Sequence, residues 1–347
     1  MADDVTLSPA ASPASSPSMP ATPVQGVAGI APGGRRRKPM SGAWRKRAEI
    51  AFFVTPALAL FLMFVIWPII TAVQMSLFKW TGIGPLVDFV GLKNYVTVLT
   101  DELFTDALRH NLIIVVGSIL LQLPLGLGLA LLLNRKLWGQ SILRTIIFVP
   151  YVLAEVIAGV VWGALLVPQY GTIDALAAAL HIPTPEQGFL GTPDLALWTV
   201  LFVLTWKYLG LAVILFLAGL QGIPDELYEA AALDGASWWQ VQRRITFPLM
   251  GPTIRTWAFL SMIGSLQVFD MVWILTKGGP AGATTTMATY LIAQGTQASN
   301  FGIAGAASVI LFVIALFFAV VYQQLVLKRD TQPDTPKRKR SQREKAK

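Results

Sequence analysis

Residues 195–220 read LALWTVLFVLTWKYLGLAVILFLAGL, an apolar stretch in which the only charged side chain is Lys207. Its 26 residues exceed the roughly 20 that a helix needs to cross a hydrocarbon core about 30 Å thick. Because the bilayer core holds no water, the backbone of such a segment must satisfy its own hydrogen bonds as a helix. The stretch therefore predicts a transmembrane helix.

Five other stretches have the same character. They lie at residues 50–70, 111–133, 146–167, 254–275 and 303–327. Over the whole chain of 347 residues, 54% are hydrophobic and 13% are charged, and the mean hydropathy is +0.59, whereas a water-soluble domain carries about a quarter of charged residues. The first stretch is too long for the apolar core of a cleaved secretory signal. We expect an all-α, multi-pass protein of the cell membrane with about six transmembrane helices.

The distribution of positive charge predicts the orientation. If the chain crosses the membrane six times, both chain ends and the loops after the second and fourth helices lie on one side. That side then carries 22 of the 27 Lys and Arg residues. The opposite side has only Lys79, Lys93, Arg109 and Lys277. Cytoplasmic loops carry the excess of Lys and Arg, so both termini are predicted to be cytoplasmic. Residues 1–48 are then a disordered basic tail, 49–327 the membrane domain, and 328–347 a second basic tail.

Several function classes are excluded by composition. The net charge of +8 comes from clusters beside apolar segments and at the chain ends, which indicates lipid headgroups as the partner rather than nucleic acid. The chain has no cysteine and only two histidines, so no metal site and no cofactor are predicted. It contains no Gly-Lys dipeptide and hence no P-loop that could bind ATP phosphates. Any energy from ATP must come from a partner.

The loop at residues 221–253 carries more local signals than a simple connection needs. It reads QGIPDELYEAAALDGASWWQVQRRITFPLMGPT. Pro224 suits a first helical turn and Gly235 suits a left-handed cap. Ser237 and Gln240 have the spacing of a capping box, which predicts a second short helix. We expect a helix-turn-helix in the cytosol, and a well-capped connection is the plainer alternative.

The second short helix carries Trp238 and Trp239 near its start. Pro248 and Pro252 are expected to end this helix before the chain re-enters the membrane.

One spacing within this loop resembles a known family. The pattern E-A-A-x3-G-x9-I-x-L-P is the EAA motif of ABC importer permeases, and this chain matches it with Phe247 where Leu is usual. The matching residues are Glu229, Ala230, Ala231, Gly235, Ile245 and Pro248. Residues 50–327 also resemble sugar permeases of the MalF, LacF and UgpA type, in Thr55–Trp80, in FVGLKNY at 89–95, in LTKGGP at 275–280 and in GIAGAASVILF at 302–312.

The resemblance implies a transport subunit and not an enzyme. Its expected partners are a second homologous permease, two ATP-binding subunits, an extracytoplasmic solute-binding protein and a carbohydrate substrate. By the same resemblance, Glu229 meets a basic residue of the ATPase, Gly235 forms the turn, and Trp238 supplies apolar contact area. The residues expected to couple to the ATPase are therefore the six motif residues and Trp238.

Three ionisable residues, Glu155, Lys207 and Asp270, fall inside apolar stretches. Insertion of such a group costs at least about 2.5 kcal/mol, and these groups usually face a pathway or a partner. Aromatic faces and hydrogen-bonding side chains together suit a sugar. The predicted substrate path comprises Tyr151, Glu155, Trp206, Lys207, Gln267 and Asp270.

Other interpretations of these residues stay open. The aromatic residues could form interfacial belts, and Glu155 and Lys207 could pair as structural groups. A membrane enzyme with Glu155 and Asp270 as acid and base, or a structural scaffold, would explain the buried charges but not the EAA spacing.

Overall fold

The computed structural model describes residues 42–135 and 138–327. The tail predicted at 328–347 and most of the tail predicted at 1–48 lie outside these residues. The part of the first tail that is described, from Gly42, is helical and not disordered. A transmembrane helix can extend beyond the hydrocarbon core through basic anchor residues such as Lys46 and Arg47.

Helices account for nearly all of the described secondary structure. The helices are α1 (Gly42–Phe61), α2 (Trp67–Ser76), α3 (Lys93–Thr100), α4 (Glu102–Leu133), α5 (Gln140–Val152), α6 (Glu155–Leu165), α7 (Thr172–Ala179), α8 (Gly188–Gly191), α9 (Pro193–Gln221), α10 (Asp225–Leu233), α11 (Trp238–Val241), α12 (Phe247–Leu249), α13 (Gly251–Leu266), α14 (Asp270–Leu275), α15 (Met287–Ile292) and α16 (Phe301–Tyr322). Turns of π-helix lie at Leu62–Ile66, Gln242–Thr246, Ala293–Gln297 and Gln323–Leu327. Two compact units divide the chain, one ending at Ala59 and one beginning at Leu60.

The predicted all-α membrane class is confirmed. Among the described residues, four helices are long and apolar enough to cross a membrane: Glu49–Ser76, Glu102–Leu133, Pro193–Gln221 and Phe301–Val326. A fifth span results if α5 and α6 count as one broken span. The described residues contain no sixth span of sufficient length, because α13, in the stretch predicted at 254–275, ends at Leu266 after only 16 residues.

The helix predicted at 146–167 is broken. Helices α5 and α6 meet at an angle of 101°. The residues between them, Leu153 and Ala154, have extended backbone. Such a break at membrane depth requires partners for the carbonyl groups that α5 leaves open. Lys207 of α9 supplies them, because its Nζ donates to the carbonyls of Pro150 (3.1 Å), Tyr151 (3.0 Å) and Leu153.

The helix predicted at 254–275 is broken as well, after Leu266. Asn111 of α4 is fully buried and donates from its amide to the carbonyls of Ser265 (2.9 Å) and Leu266 (3.2 Å). The same amide accepts from the N–H of Met287 at 2.8 Å, which starts α15. Thr286 donates to the carbonyl of Val268 at 3.0 Å. Side chains thus satisfy backbone carbonyls at the end of α13 and within the break, and they hold the start of α15 beside it.

The second compact unit is built around α4 and α9. Their contact is close because Gly126 lacks a side chain, and a Cβ there would lie 2.9 Å from the Cβ of Ala212. Phe216 of α9 packs against Trp257 of α13 with ring centroids 5.4 Å apart. Helix α13 therefore completes a three-helix core with α4 and α9.

The segment between α14 and α16 folds back onto the start of α4. Tyr290 donates to the carboxylate of Asp101 at 2.6 Å, and Asp101 also caps α4 by accepting from the N–H of Leu103. Burial raises the pKa of the Tyr290 phenol, and the hydrogen bond to Asp101 raises it further, so the phenol remains a donor at neutral pH. This contact holds α15 beside α4.

Candidate functional site

A cavity lies where the two helix breaks meet the middle of α4 and α9. Its empty space, including the open mouth, is about 770 Å³. Its polar lining consists of Ser118, Gln122, Glu155, Tyr208, Ser261, Ser265, Gln267 and Asp270. Its apolar lining includes Leu204, Leu211, Trp257, Leu260 and Phe269. The mixture of hydroxyl, amide and carboxylate groups with aromatic rings suits a polar ligand that also has apolar faces.

Both breaks place a carboxylate on this cavity. Glu155 is the first residue of α6, and Asp270 is the first residue of α14. Tyr208 of α9 donates its hydroxyl to Oε1 of Glu155, which fixes the side chain at the wall. Asp270 is exposed and lines the same cavity. The half-helices that begin with these residues pack together, since a Cβ at Gly159 would lie 2.8 Å from Ile274.

Three of the predicted substrate-path residues line the cavity, namely Glu155, Gln267 and Asp270. The other three, Tyr151, Trp206 and Lys207, are not among its lining residues. Lys207 is only 3% exposed and its ammonium group is bound to backbone carbonyls. Trp206 packs on Trp162 with ring centroids 5.4 Å apart, and the Tyr151 ring lies 5.9 Å from the Lys207 ammonium. Of these three residues, Lys207 holds the break between α5 and α6, and a role in the substrate path stays a prediction for all three.

Four polar lining residues on α4 and α13 were not predicted, although the sequence carries a signal for them. Ser118 and Gln122 are four residues apart in α4, and Ser261 and Ser265 are four residues apart in α13. Residues at this spacing share one face of a helix. A search for polar residues at helical spacing within apolar stretches would have found both pairs.

The 221–253 loop has the predicted helix-turn-helix form. Helix α10 carries Asp225 and Glu226 in its first turn, and Gly235 follows with a φ of +70°. The capping box of Ser237 and Gln240 is present at the start of α11. Local hydrogen bonds therefore define both short helices, as the sequence indicated.

The two prolines of the loop have a different role from the predicted one. Pro248 lies in the first turn of α12 and Pro252 in the first turn of α13. Neither ends a helix, because a proline in a first turn gives up only an N–H that has no intrahelical partner.

The motif residues divide between the surface and the interior of the loop. Glu229, Ala230, Gly235 and Pro248 are exposed, Ile245 is half-buried and Ala231 is buried. Ala231 faces inward on α10, and behind it Tyr228 approaches Thr246 at 3.4 Å between their hydroxyl oxygens. The buried residues join the two short helices, whereas the exposed ones are free to meet a partner.

Large apolar side chains are exposed at the tip of this loop. Leu233 is 91% exposed, and Trp238 and Trp239 are 54% and 59% exposed. The guanidinium of Arg135, at the end of α4, lies 5.9 Å from the ring centroid of Trp238. A water-soluble loop rarely exposes such a patch unless it is an interaction surface.

Comparison with known proteins adds to this geometry. The family model described as "Binding-protein-dependent transport system inner membrane component" matches residues 122–330. The chain is 35% identical over 278 residues to the trehalose/maltose transport system permease protein MalF of Thermococcus litoralis, covering 80% of this chain and 93% of that protein.

Two solved structures resemble the fold. One is a bacterial ABC transporter involved in the import of the acidic polysaccharide alginate, with a TM-score of 0.73 and 26% identity over 84% of this chain and 100% of that chain. The other is a bacterial alginate ABC transporter in complex with its alginate pentasaccharide-bound periplasmic protein, with a TM-score of 0.74 and 25% identity over 85% and 99% of the two chains. The family match covers more than half of the chain, and the relatives align over nearly their full length. The chain belongs to the family of inner-membrane components of binding-protein-dependent transport systems.

Proposed function

We propose that this chain is the permease subunit of an ATP-driven ABC importer for a sugar or oligosaccharide. The observation that carries the proposal is the combination of a polar cavity at mid-depth with a capped, apolar-tipped loop at one end of the same helices. The relative that transports trehalose and maltose supports a carbohydrate as the substrate.

The cavity has the chemistry that a sugar requires. Gln122, Ser261 and Gln267 offer hydrogen-bonding groups for hydroxyls, while Trp257 and Phe269 offer flat apolar surface for the C–H face of a pyranose ring. Substrate sites of transporters commonly lie near the bilayer midplane at discontinuous helices, and this cavity lies at two helix breaks, beside the middle of α4 and α9.

The 221–253 loop is the proposed site of ATPase docking. Leu233, Trp238 and Trp239 would enter an apolar groove of the ATP-binding subunit, and exposed Glu229 would pair with a basic residue beside that groove. Helix α13 begins two residues after α12 and carries Ser261 and Ser265 of the cavity wall. It would therefore transmit a displacement of the loop to the cavity. The cycle would thus convert closure of two ATP-binding subunits into movement of membrane helices.

The proposed transporter contains three kinds of partner for this chain. A second homologous permease completes the pathway, two ATP-binding subunits supply the energy, and a solute-binding protein delivers the sugar from outside. The relative crystallised with its periplasmic protein supports the last of these partners.

Gly235→Val tests the docking role of the loop. A Cβ at Gly235 would have no atom within 4 Å, so the strain comes only from the φ of +70°, and a β-branched residue there costs on the order of 1 kcal/mol or more. We expect the variant to insert normally but to lose the ATP-binding subunits during affinity purification and to lose sugar uptake.

The matched control is Gly84→Val. Gly84 also has a positive φ, of +81°, and open surroundings, but it lies in the segment between α2 and α3. It should retain the ATP-binding subunits. Full recovery of those subunits and normal uptake by Gly235→Val would refute the docking role.

A further inference from the structure

Both half-helices at the cavity begin with their own carboxylate. Glu155 opens the 11-residue α6 and Asp270 opens the 6-residue α14. The N-terminus of a helix carries a partial positive charge, which stabilises an anion placed there.

This arrangement removes the usual site for an anionic substrate. In transporters with discontinuous helices, the N-termini of half-helices commonly point at anionic groups of the substrate. Here the acidic residues of the protein itself take that place. Glu155 and Asp270 line the same cavity, and the two helices that they open pack together, since a Cβ at Gly159 would lie 2.8 Å from Ile274.

The charges of Glu155 and Asp270 are offset only in part. Among the described residues, neither Lys nor Arg lines the cavity. Lys207 is the adjacent cation, and its charge acts on Glu155, but the side chain is only 3% exposed and its ammonium group donates to the carbonyls of Pro150, Tyr151 and Leu153. With two carboxylates and one buried cation, a carboxylate on a substrate would meet a net negative wall and no cation at the cavity surface.

We propose that this cavity selects sugars that carry no carboxylate and rejects acidic sugars. The proposal rests on the sugar-transport function proposed above and narrows it. Such a preference would distinguish this chain from the similar transporter that is involved in the import of the acidic polysaccharide alginate. Neutral and amino sugars remain compatible, because hydroxyl and ammonium groups can donate to Glu155 and Asp270.

The expected discrimination is large enough to measure. Like charges within about 6 Å at an effective dielectric constant near 20 should weaken binding at least about tenfold. Replacement of both carboxylates by amides, in the double variant Glu155→Gln and Asp270→Asn, should reduce that ratio to about threefold or less.

The test uses the purified complex of permeases and ATP-binding subunits in lipid nanodiscs, without the solute-binding protein, which has its own selectivity. Saturation-transfer NMR would first record binding of maltose, cellobiose and N,N'-diacetylchitobiose. The best of these sugars is then compared with its analogue that has a carboxylate at C6. The control variant Glu186→Gln removes an exposed carboxylate that does not line the cavity.

The outcomes distinguish the two proposals. Binding of a neutral sugar that is lost in Gly264→Trp, which fills the cavity, supports the proposed function. Weaker binding of the acidic analogue, relieved in the double variant but not in Glu186→Gln, supports the selectivity. Equal binding of both sugars to the parent complex, or a ratio that the double variant leaves unchanged, would overturn the selectivity alone. Absence of any cavity-dependent sugar binding would overturn the proposed function and the selectivity with it.

Discussion

Lys207 is the one charged residue of the apolar stretch at 195–220, and it lies in the middle of α9. Its ammonium group binds the carbonyls that α5 leaves open at its end. From the sequence, the residue had two open interpretations, a substrate-path group or a structural group. The distinction depends on atoms of residues more than fifty positions earlier in the chain, so the local sequence around Lys207 contains no signal for it.

Lys207→Met should destabilise the protein instead of altering its substrate preference. Loss of hydrogen bonds from a charged group to buried carbonyls should lower the free energy of unfolding by roughly 2–3 kcal/mol. The melting temperature of the purified complex in detergent would fall, while Lys79→Met, at an exposed lysine, would leave it near the parent value. A normal melting temperature together with lost sugar uptake would instead make Lys207 a substrate-path residue.

The helical elements differ in how far the sequence determines them. The capping box at Ser237 and the left-handed Gly235 depend on neighbours within a few residues, and both predictions are confirmed. The breaks after Val152 and Leu266 were not predicted, because both stretches remain apolar enough overall to span a membrane, although Glu155, Gln267 and Asp270 lie at the breaks. Their compensating donors, Lys207 and Asn111, are distant in sequence, and only the tertiary structure brings them to the open carbonyls.

Asn111→Leu should disturb the second break and the cavity beside it. Leucine has a similar volume, but it leaves the N–H of Met287 and the carbonyls of Ser265 and Leu266 without this partner, at a cost of about 1–3 kcal/mol for each buried group. Since Gln267 and Asp270 follow directly, we expect a lower melting temperature and weaker sugar uptake.

The exposed Asn300 provides the control, and Asn300→Leu should behave like the parent in both assays. If Asn111→Leu also matched the parent in melting temperature and uptake, the break would not depend on this amide.

The whole molecule combines a cavity between α4, α9 and α13 with the capped loop at 221–253, and its sequence predicted these features unequally. Polarity within apolar stretches led to Glu155, Gln267 and Asp270, which the structure brings together. The remaining wall depends on which faces of α4, α9 and α13 meet, which a single sequence does not specify. The cytoplasmic location of both termini stays a prediction from the distribution of Lys and Arg.

The central claim is that a sugar crosses the membrane through this cavity when ATP is hydrolysed by the partner subunits. Gly264→Trp tests it most directly, because Gly264 lines the cavity and a Cβ there would have no atom within 4 Å. Gly128→Trp is the matched control, since Gly128 has equally open surroundings on α4 and does not line the cavity.

The measurement is ATP-dependent uptake of radiolabelled sugar into proteoliposomes that contain the assembled transporter and its solute-binding protein. We predict that Gly264→Trp assembles with the ATP-binding subunits but loses at least about tenfold in uptake, while Gly128→Trp transports like the parent. Parent-level uptake by a correctly assembled Gly264→Trp transporter would contradict the claim that the substrate passes through this cavity.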